Sequence, residues 1–227
     1  RWGCWSPSSV LTDLPGDDGG ESLWSRVGEL RQYSDPVERT GRQIELADAG
    51  LRLVAGEGMG SVTFRAVAAE SGWSLGAVQR AFGSKEDLQA AMLERLRTSV
   101  EPQVPGEPGR PTLHAWLVEL VIAVAPFDDR RRAMQRQGHA FAELAPFDDR
   151  IGRIIAEDDD RLRALLARLV RRAQSEGEIE NGVDPEGVAW SVLALMQGVA
   201  SQLLYDMQPE ADVRRWVDAV VQGVLHL

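Results

Sequence analysis

The feature that most constrains this chain is a short passage at residues 63–82, where two helix-like segments are separated only by Gly72-Trp73-Ser74. Thr63 is placed to cap Phe64–Ser71 and Ser74 to cap Leu75–Phe82, because a side-chain oxygen there accepts from amides that have no partner inside the helix. Gly83 breaks the second segment. So tight a glycine-containing turn makes the two helices cross steeply. The flanking sequence supplies helices to pack against them. From Asp35-Pro36 onward, Ile44, Ala47, Leu51, Val54 and Ala55 recur at helical spacing up to Gly56-Glu57-Gly58. Ser84, with Asp87 three residues on, resembles a capping box and opens Lys85–Ser99, along which Leu88, Met92 and Leu96 face one way.

Pro102, Pro105, Pro108 and Pro111 mark a linker, and the domain boundary is expected there. Beyond it, helices are predicted over Thr112–Ala125, Asp128–Leu144, Asp148–Glu176, Pro185–Met207 and Glu210–Leu225. No strand alternation is visible, so the fold class is all-α, with one domain over 37–100 and a second over 112–227. Ala-Pro-Phe-Asp-Asp-Arg occurs at 125–130 and again at 145–150, with Pro and Asp where helices begin. Residues 1–36 differ from the rest: Ser6–Glu21 is rich in Pro, Gly, Ser and Asp and reads as a loop or disordered extension. Two readings stay open for this segment, a flexible arm or a natural start further in, at Val27 or Val37.

The net charge of −10 argues at first against a nucleic-acid partner. Its distribution softens that objection, although the absence of a basic excess predicts only modest non-specific binding. Residues 37–100 hold eight basic and eight acidic groups, a balance of 8 − 8 = 0, so the acidity lies in the flanks. Charge near the phosphates governs DNA affinity more than the sum over the chain. The single cysteine, Cys4, excludes an intrachain disulfide and suits a reducing cytoplasm. No basic-then-apolar leader is visible, and the apolar runs Ala115–Ala125 and Val188–Leu204 read as core helices, so no membrane partner is expected. His114, His139 and His226 lack metal-ligand spacing, and Asp158-Asp159-Asp160 fans around a helix axis. No nucleophile–base set or phosphate-binding glycine loop is recognisable, so neither an enzyme nor a cofactor is expected.

A helix that enters the major groove must be short and free of bulk on its outer face. Leu75-Gly76-Ala77-Val78-Gln79-Arg80-Ala81-Phe82 meets that need. Val78 and Phe82 would dock inward, leaving Leu75, Gly76, Ala77, Gln79 and Arg80 near the groove. Helix starts at Thr63 and Lys85, the only lysine in the chain, would present amides to phosphate oxygens.

The stretch Ile44–Leu96 resembles the DNA-binding domain of the TetR family of bacterial regulators. The likeness runs through Leu46–Val54, Glu57-Gly58, Val62-Thr63 and Val67-Ala68, then Gly72, Ser74, Gly76 and Phe82–Leu88. It implies a three-helix head in which Thr63, Ser74 and Lys85 meet phosphates, while Arg65 and Leu75–Arg80 line the groove. Gln79 and Ala81 stand where the family usually has tyrosine and histidine or tyrosine, so weaker phosphate anchoring is expected, with Gln79 and Arg80 carrying more of the grip. Trp73 replaces a usual small aliphatic and either fills a gap between helices, the favoured reading, or leaves a partly exposed ring.

The C-terminal half is similar, more loosely, to the ligand-binding and dimerisation domain of BetI-like members, through Pro126–Arg132, Gly177–Ile179, Asp184–Glu186 and Leu193–Val199. The likeness implies a homodimer that binds a palindromic duplex operator and is released by a small-molecule effector. The residues agree on the dimer: Leu193, Met196, Val199, Ala200, Leu203, Leu204, Val213, Trp216, Val217, Val220 and Val224 make apolar faces too wide for one monomer edge. Trp116, Met134, His139, Phe141, Trp190 and Met196 are candidates to line an effector cavity. The competing reading is a dimeric ligand sensor or interaction module whose DNA-binding head has degenerated, suggested by Ala81 and the acidic total.

Overall fold

A computed structural model describes residues 39–99 and 112–226, so the expectations for residues 1–36 and for the 101–111 linker lie outside the described residues. All regular structure among the described residues is helical: α1 (Gly41–Glu57), α2 (Phe64–Ser71), α3 (Leu75–Ala81), α4 (Lys85–Ser99), α5 (Leu113–Val124), α6 (Asp129–Leu144), α7 (Asp149–Ser175), α8 (Pro185–Gln202) and α9 (Glu210–Leu225). None of these helices is long and apolar enough to cross a membrane.

Each start has a chemical cause. Thr40 and Gln43 form a reciprocal capping box at α1, so the described helix begins at Gly41. The two copies of the repeated hexapeptide are helix-start devices. Asp128 accepts the Arg131 amide at 2.8 Å, and Asp148 accepts the Arg150 and Ile151 amides at 2.9 and 3.0 Å. The Arg131 amide, followed by that residue's guanidinium, holds the Asp128 carboxyl below the usual range. Asp184 caps α8 in the same way, with Pro185 in its first turn.

The head, α1–α4, closes around Leu46, Val54, Val62, Val67, Val78, Phe82, Leu88 and Met92. Gly50 lets α1 and α4 approach closely, since a Cβ there would lie 2.6 Å from the Met92 sulfur. Ile44 was read into the apolar stripe but is partly exposed, because α1 buries Leu46, Ala47, Ala49, Gly50, Leu51 and Val54 instead.

The head's core runs on into the body. Ala140 and Phe141 of α6 and Ile151 of α7 belong to the same apolar cluster. Polar bonds reinforce the junction: Arg136 and Gln137 donate to the Ala55 and Leu51 carbonyls at 3.1 and 2.8 Å, and Arg97 pairs with Asp158 at 2.5 Å. In the body α8 packs chiefly on α7 and α9 on α5, with Arg214 of α9 paired to Glu119 of α5. Asp158, Asp159 and Asp160 turn to separate partners, Arg97 and Arg161, Gln197, and Arg163.

Candidate nucleic-acid interface

The turn between α2 and α3 hangs on Gly72, which closes α2 at φ 75°, a left-handed conformation that glycine adopts without steric cost. Ser74 then caps α3, accepting the Ala77 amide at 3.2 Å, and Thr63 caps α2 by accepting from Ala66 at 3.1 Å. Thr63 and Ser74 are exposed, and among the described residues neither hydroxyl donates to a protein acceptor. Each therefore keeps a proton to offer a phosphate oxygen.

The short α3 turns Gln79 and Arg80 to solvent and leaves Leu75 and Gly76 half-buried. Arg80 lies back along the helix, so that a Cβ at Gly76 would sit 3.3 Å from its Nη1. Arg65 on α2 and Lys85 at the start of α4 are exposed as well.

One candidate is corrected. Ala77 is only 4% exposed and faces the interior. The inward seam of α3 comprises Ala77, Val78, Ala81 and Phe82 rather than Val78 and Phe82 alone. A helix held between two neighbours needs an apolar stripe about 100° wide or more, and two residues a turn apart do not fill it. Trp73 is corrected too. Its ring stays partly exposed, because its Nε1 donates to Glu45 at 3.0 Å and the Arg42 guanidinium stacks 4.7 Å from its centre.

Sequence reasoning missed the role of the first turn of α1. Besides its part in the capping box, Gln43 donates through Nε2 to the Ala81 carbonyl at 3.0 Å, tying α1 to the end of α3. The Thr40-x-x-Gln43 spacing was the available signal.

The six candidate effector residues do not share one environment. Trp116 and Met196 are buried and Met134 is half-buried. Phe141 belongs instead to the core of the head. His139 is exposed beside Glu143 at 3.3 Å, and Trp190 is 65% exposed. These last three are corrected as cavity residues: the polar ring of His139 finds water and a carboxylate, and the buried stripe of α8 runs through Val188, Ala189, Val192, Leu193, Met196 and Ala200, which turns Trp190 outward. An open cleft at the α6–α7 turn is lined by Ala145, Asp149, Gly152, Arg153 and Ala156 and includes none of the six.

Known proteins match both halves. The family model for bacterial regulatory proteins of the tetR family matches residues 46–92, and that for the C-terminal domain of BetI-type transcriptional repressors matches residues 113–226. The HTH-type nicotine-responsive transcriptional repressor HdnoR of Paenarthrobacter nicotinovorans is 23% identical over 176 residues, which cover 75% of this chain and 87% of that protein. Among solved structures, a transcriptional regulator from Rhodococcus sp. Rha1 superposes with a TM-score of 0.71 at 23% identity, covering 82% of this chain and 97% of that one. A regulator from Saccharomonospora viridis in complex with choline gives 0.69 at 20% identity, covering 80% and 95%. Salmonella enterica GusR gives 0.64 at 21%, covering 87% and 100%. With the head built around an outward-facing α3 and both family models matched in chain order, the chain belongs to the TetR family and is a DNA-binding transcription regulator with a BetI-type C-terminal domain.

Proposed function

We propose that this protein is a repressor that grips a palindromic duplex operator as a homodimer and lets go when a small-molecule effector occupies its body. The observation that carries the reading is the character of the surface around α3. Arg65, Arg80 and Lys85 have no carboxylate within ion-pair distance among the described residues, and the Thr63 and Ser74 hydroxyls keep their protons. Charge left open in this way suits a polyanion. Gln79 and Arg80 would read base edges, while Leu75 and Gly76 let the backbone come close. The 37–100 segment would be the reading domain and the 112–227 segment the effector and dimer domain. Such a regulator acts where the chromosome lies, in the cytoplasm.

The dimer is supported by apolar surface on the last two helices. Leu193, Met196, Ala200, Leu203, Val213 and Val217 are consumed by the monomer's own core. Trp216 and Val220, with Ala219 and Gly223 between and beyond them, remain exposed along α9, and Trp190 along α8. A second copy covering this stripe sets the half-site spacing, and twofold symmetry requires the palindrome. The effector is supported by the nicotine-responsive relative and the choline-bound structure; Trp116, Met134 and Met196 are kept as the candidates to line its cavity. Binding that favours one spacing of the two heads shifts the population away from the operator-bound state.

The test is fluorescence anisotropy with the duplex upstream of the protein's own gene, at fixed salt. Arg80→Ala is expected to weaken binding about tenfold, the scale of one base or phosphate contact. Unchanged affinity removes Arg80 from the site. A wild-type protein that shows no preference for that duplex at low salt favours the degenerate-head sensor instead.

A further inference from the structure

The cations of the head fall into two groups. Arg39 pairs with Glu94 at 2.7 Å, Arg52 with Glu70 at 2.7 Å, Arg95 with Asp48 at 2.8 Å and Arg97 with Asp158 at 2.5 Å. Arg42, Arg65, Arg80 and Lys85 have no such partner among the described residues. Three of these four already belong to the surface around α3. The fourth, Arg42, lies on α1, outside the helix-turn-helix.

Arg42 is nevertheless held at that surface. Its guanidinium lies 4.7 Å from the centre of the Trp73 ring, and Trp73 is the residue just before the cap of α3. The indole is fixed in turn by its Nε1 bond to Glu45 at 3.0 Å, so that carboxylate is engaged with the ring rather than with Arg42. Gln43, the next residue along α1, is bonded to the far end of α3. The first turn of α1 therefore touches both ends of the reading helix. Stacking on an aromatic face holds a guanidinium in place and leaves its N–H edge free for the bidentate contacts that phosphates favour.

We propose that Arg42 is a further contact to the operator backbone, posed by Trp73 at the turn into α3. This rests on the DNA-binding reading and deepens it. It explains how the head keeps its hold although Gln79 and Ala81 replace the aromatic groups that usually grip the backbone.

The experiment is a salt series of full-length protein binding, by anisotropy, to the operator and to an unrelated duplex. Arg42→Gln should lower affinity for both by about tenfold or more and flatten the slope of log K against log salt by about 0.9 for each Arg42 engaged. Arg52→Gln, which breaks a pair facing α2, should leave the slope unchanged. Trp73→Leu should weaken both complexes in the same sense, and adding Arg42→Gln to it should cost less than on the wild-type background. Thermal unfolding should show Arg42→Gln folded as the wild type. An Arg42→Gln slope equal to wild type overturns the proposal, whatever happens to affinity. Because the slope is also read on the unrelated duplex, it decides Arg42 even where a missing operator preference brings down the repressor reading.

Discussion

The α3 face and the α9 face are both exposed, and each lacks something different. Around α3, among the described residues, Arg65, Arg80 and Lys85 have no carboxylate within ion-pair distance, and the Thr63 and Ser74 hydroxyls donate to no protein acceptor. Along α9 the exposed groups are Trp216, Ala219, Val220 and Gly223. Elsewhere the surface is mixed: Arg39, Arg95, Arg131, Arg161 and Arg172 have carboxylates within 2.9 Å, whereas Phe147 and Tyr205 are exposed and, among the described residues, Arg130, Arg132 and Arg168 have no carboxylate within ion-pair distance. What a surface leaves unsatisfied indicates what it is for. Open positive charge fits phosphate, and an open apolar stripe fits another apolar stripe. Both faces rest on one body, because Phe141 of α6 is fully buried in the core of the head.

The largest expected effect comes from breaking that shared support. Phe141→Ala removes a ring from a closed core and should cost about 3–5 kcal/mol in denaturant unfolding. A loss below about 1 kcal/mol would show that the head does not lean on α6. Next comes the apolar face itself. Trp216→Glu should leave the fold intact yet give monomers in sedimentation velocity, and operator affinity should fall about a hundredfold or more as the second head is lost. A dimer that survives this change must use another surface.

The third change separates two roles at one residue. Ser74→Ala removes both a cap, worth about 1 kcal/mol, and the hydroxyl proposed as a phosphate donor. Ser74→Asp keeps an acceptor for the Ala77 amide and sets a negative charge against the backbone. Stability should therefore hold in the aspartate variant while DNA affinity falls further than in the alanine variant. Equal affinities would mean that Ser74 serves α3 alone.

How much of this was legible beforehand follows the range of the interactions. Local devices stood in the sequence: Thr63, Ser74 and Ser84 cap where their spacing says they should, and the first Asp of each repeated hexapeptide caps α6 and α7, while its Pro lies outside the helix, two residues before the cap. Contacts across the fold were not legible. Periodicity shows that Phe141 is apolar but not that its helix docks on the head, and it offers no way to know that Trp190 turns outward from α8. Trp73 was misread because an aromatic residue at a turn satisfies the same pattern buried in a gap or held at the surface by Glu45 and Arg42. Ala77 was misread because alanine suits a groove-facing and an inward-facing position equally.

The smallest effect concerns a charge that faces inward. Asp159 of α7 lies half-buried against α8, where its Oδ2 accepts from Gln197 Nε2 at 3.3 Å. Desolvation pushes its carboxyl above the ordinary value, outweighing the Gln197 bond and the pull of Arg163, with Asp158 and Asp160 adding to the rise. A carboxyl raised in the folded state gives stability that is fully present at low pH and is lost as pH rises through its folded value. At neutral pH the ionised Asp159 is therefore a cost to folding. Asp159→Asn keeps an oxygen for Gln197 and removes the charge. The variant should be more stable than the wild type at pH 7, and the gain should shrink as the pH falls through the carboxylate range and the wild-type group takes up its proton. A gain independent of pH, or a loss at pH 7, would mean that Asp159 is better solvated than its position between the helices implies, and that inward charge in this body is tolerated as readily as the open charge around α3.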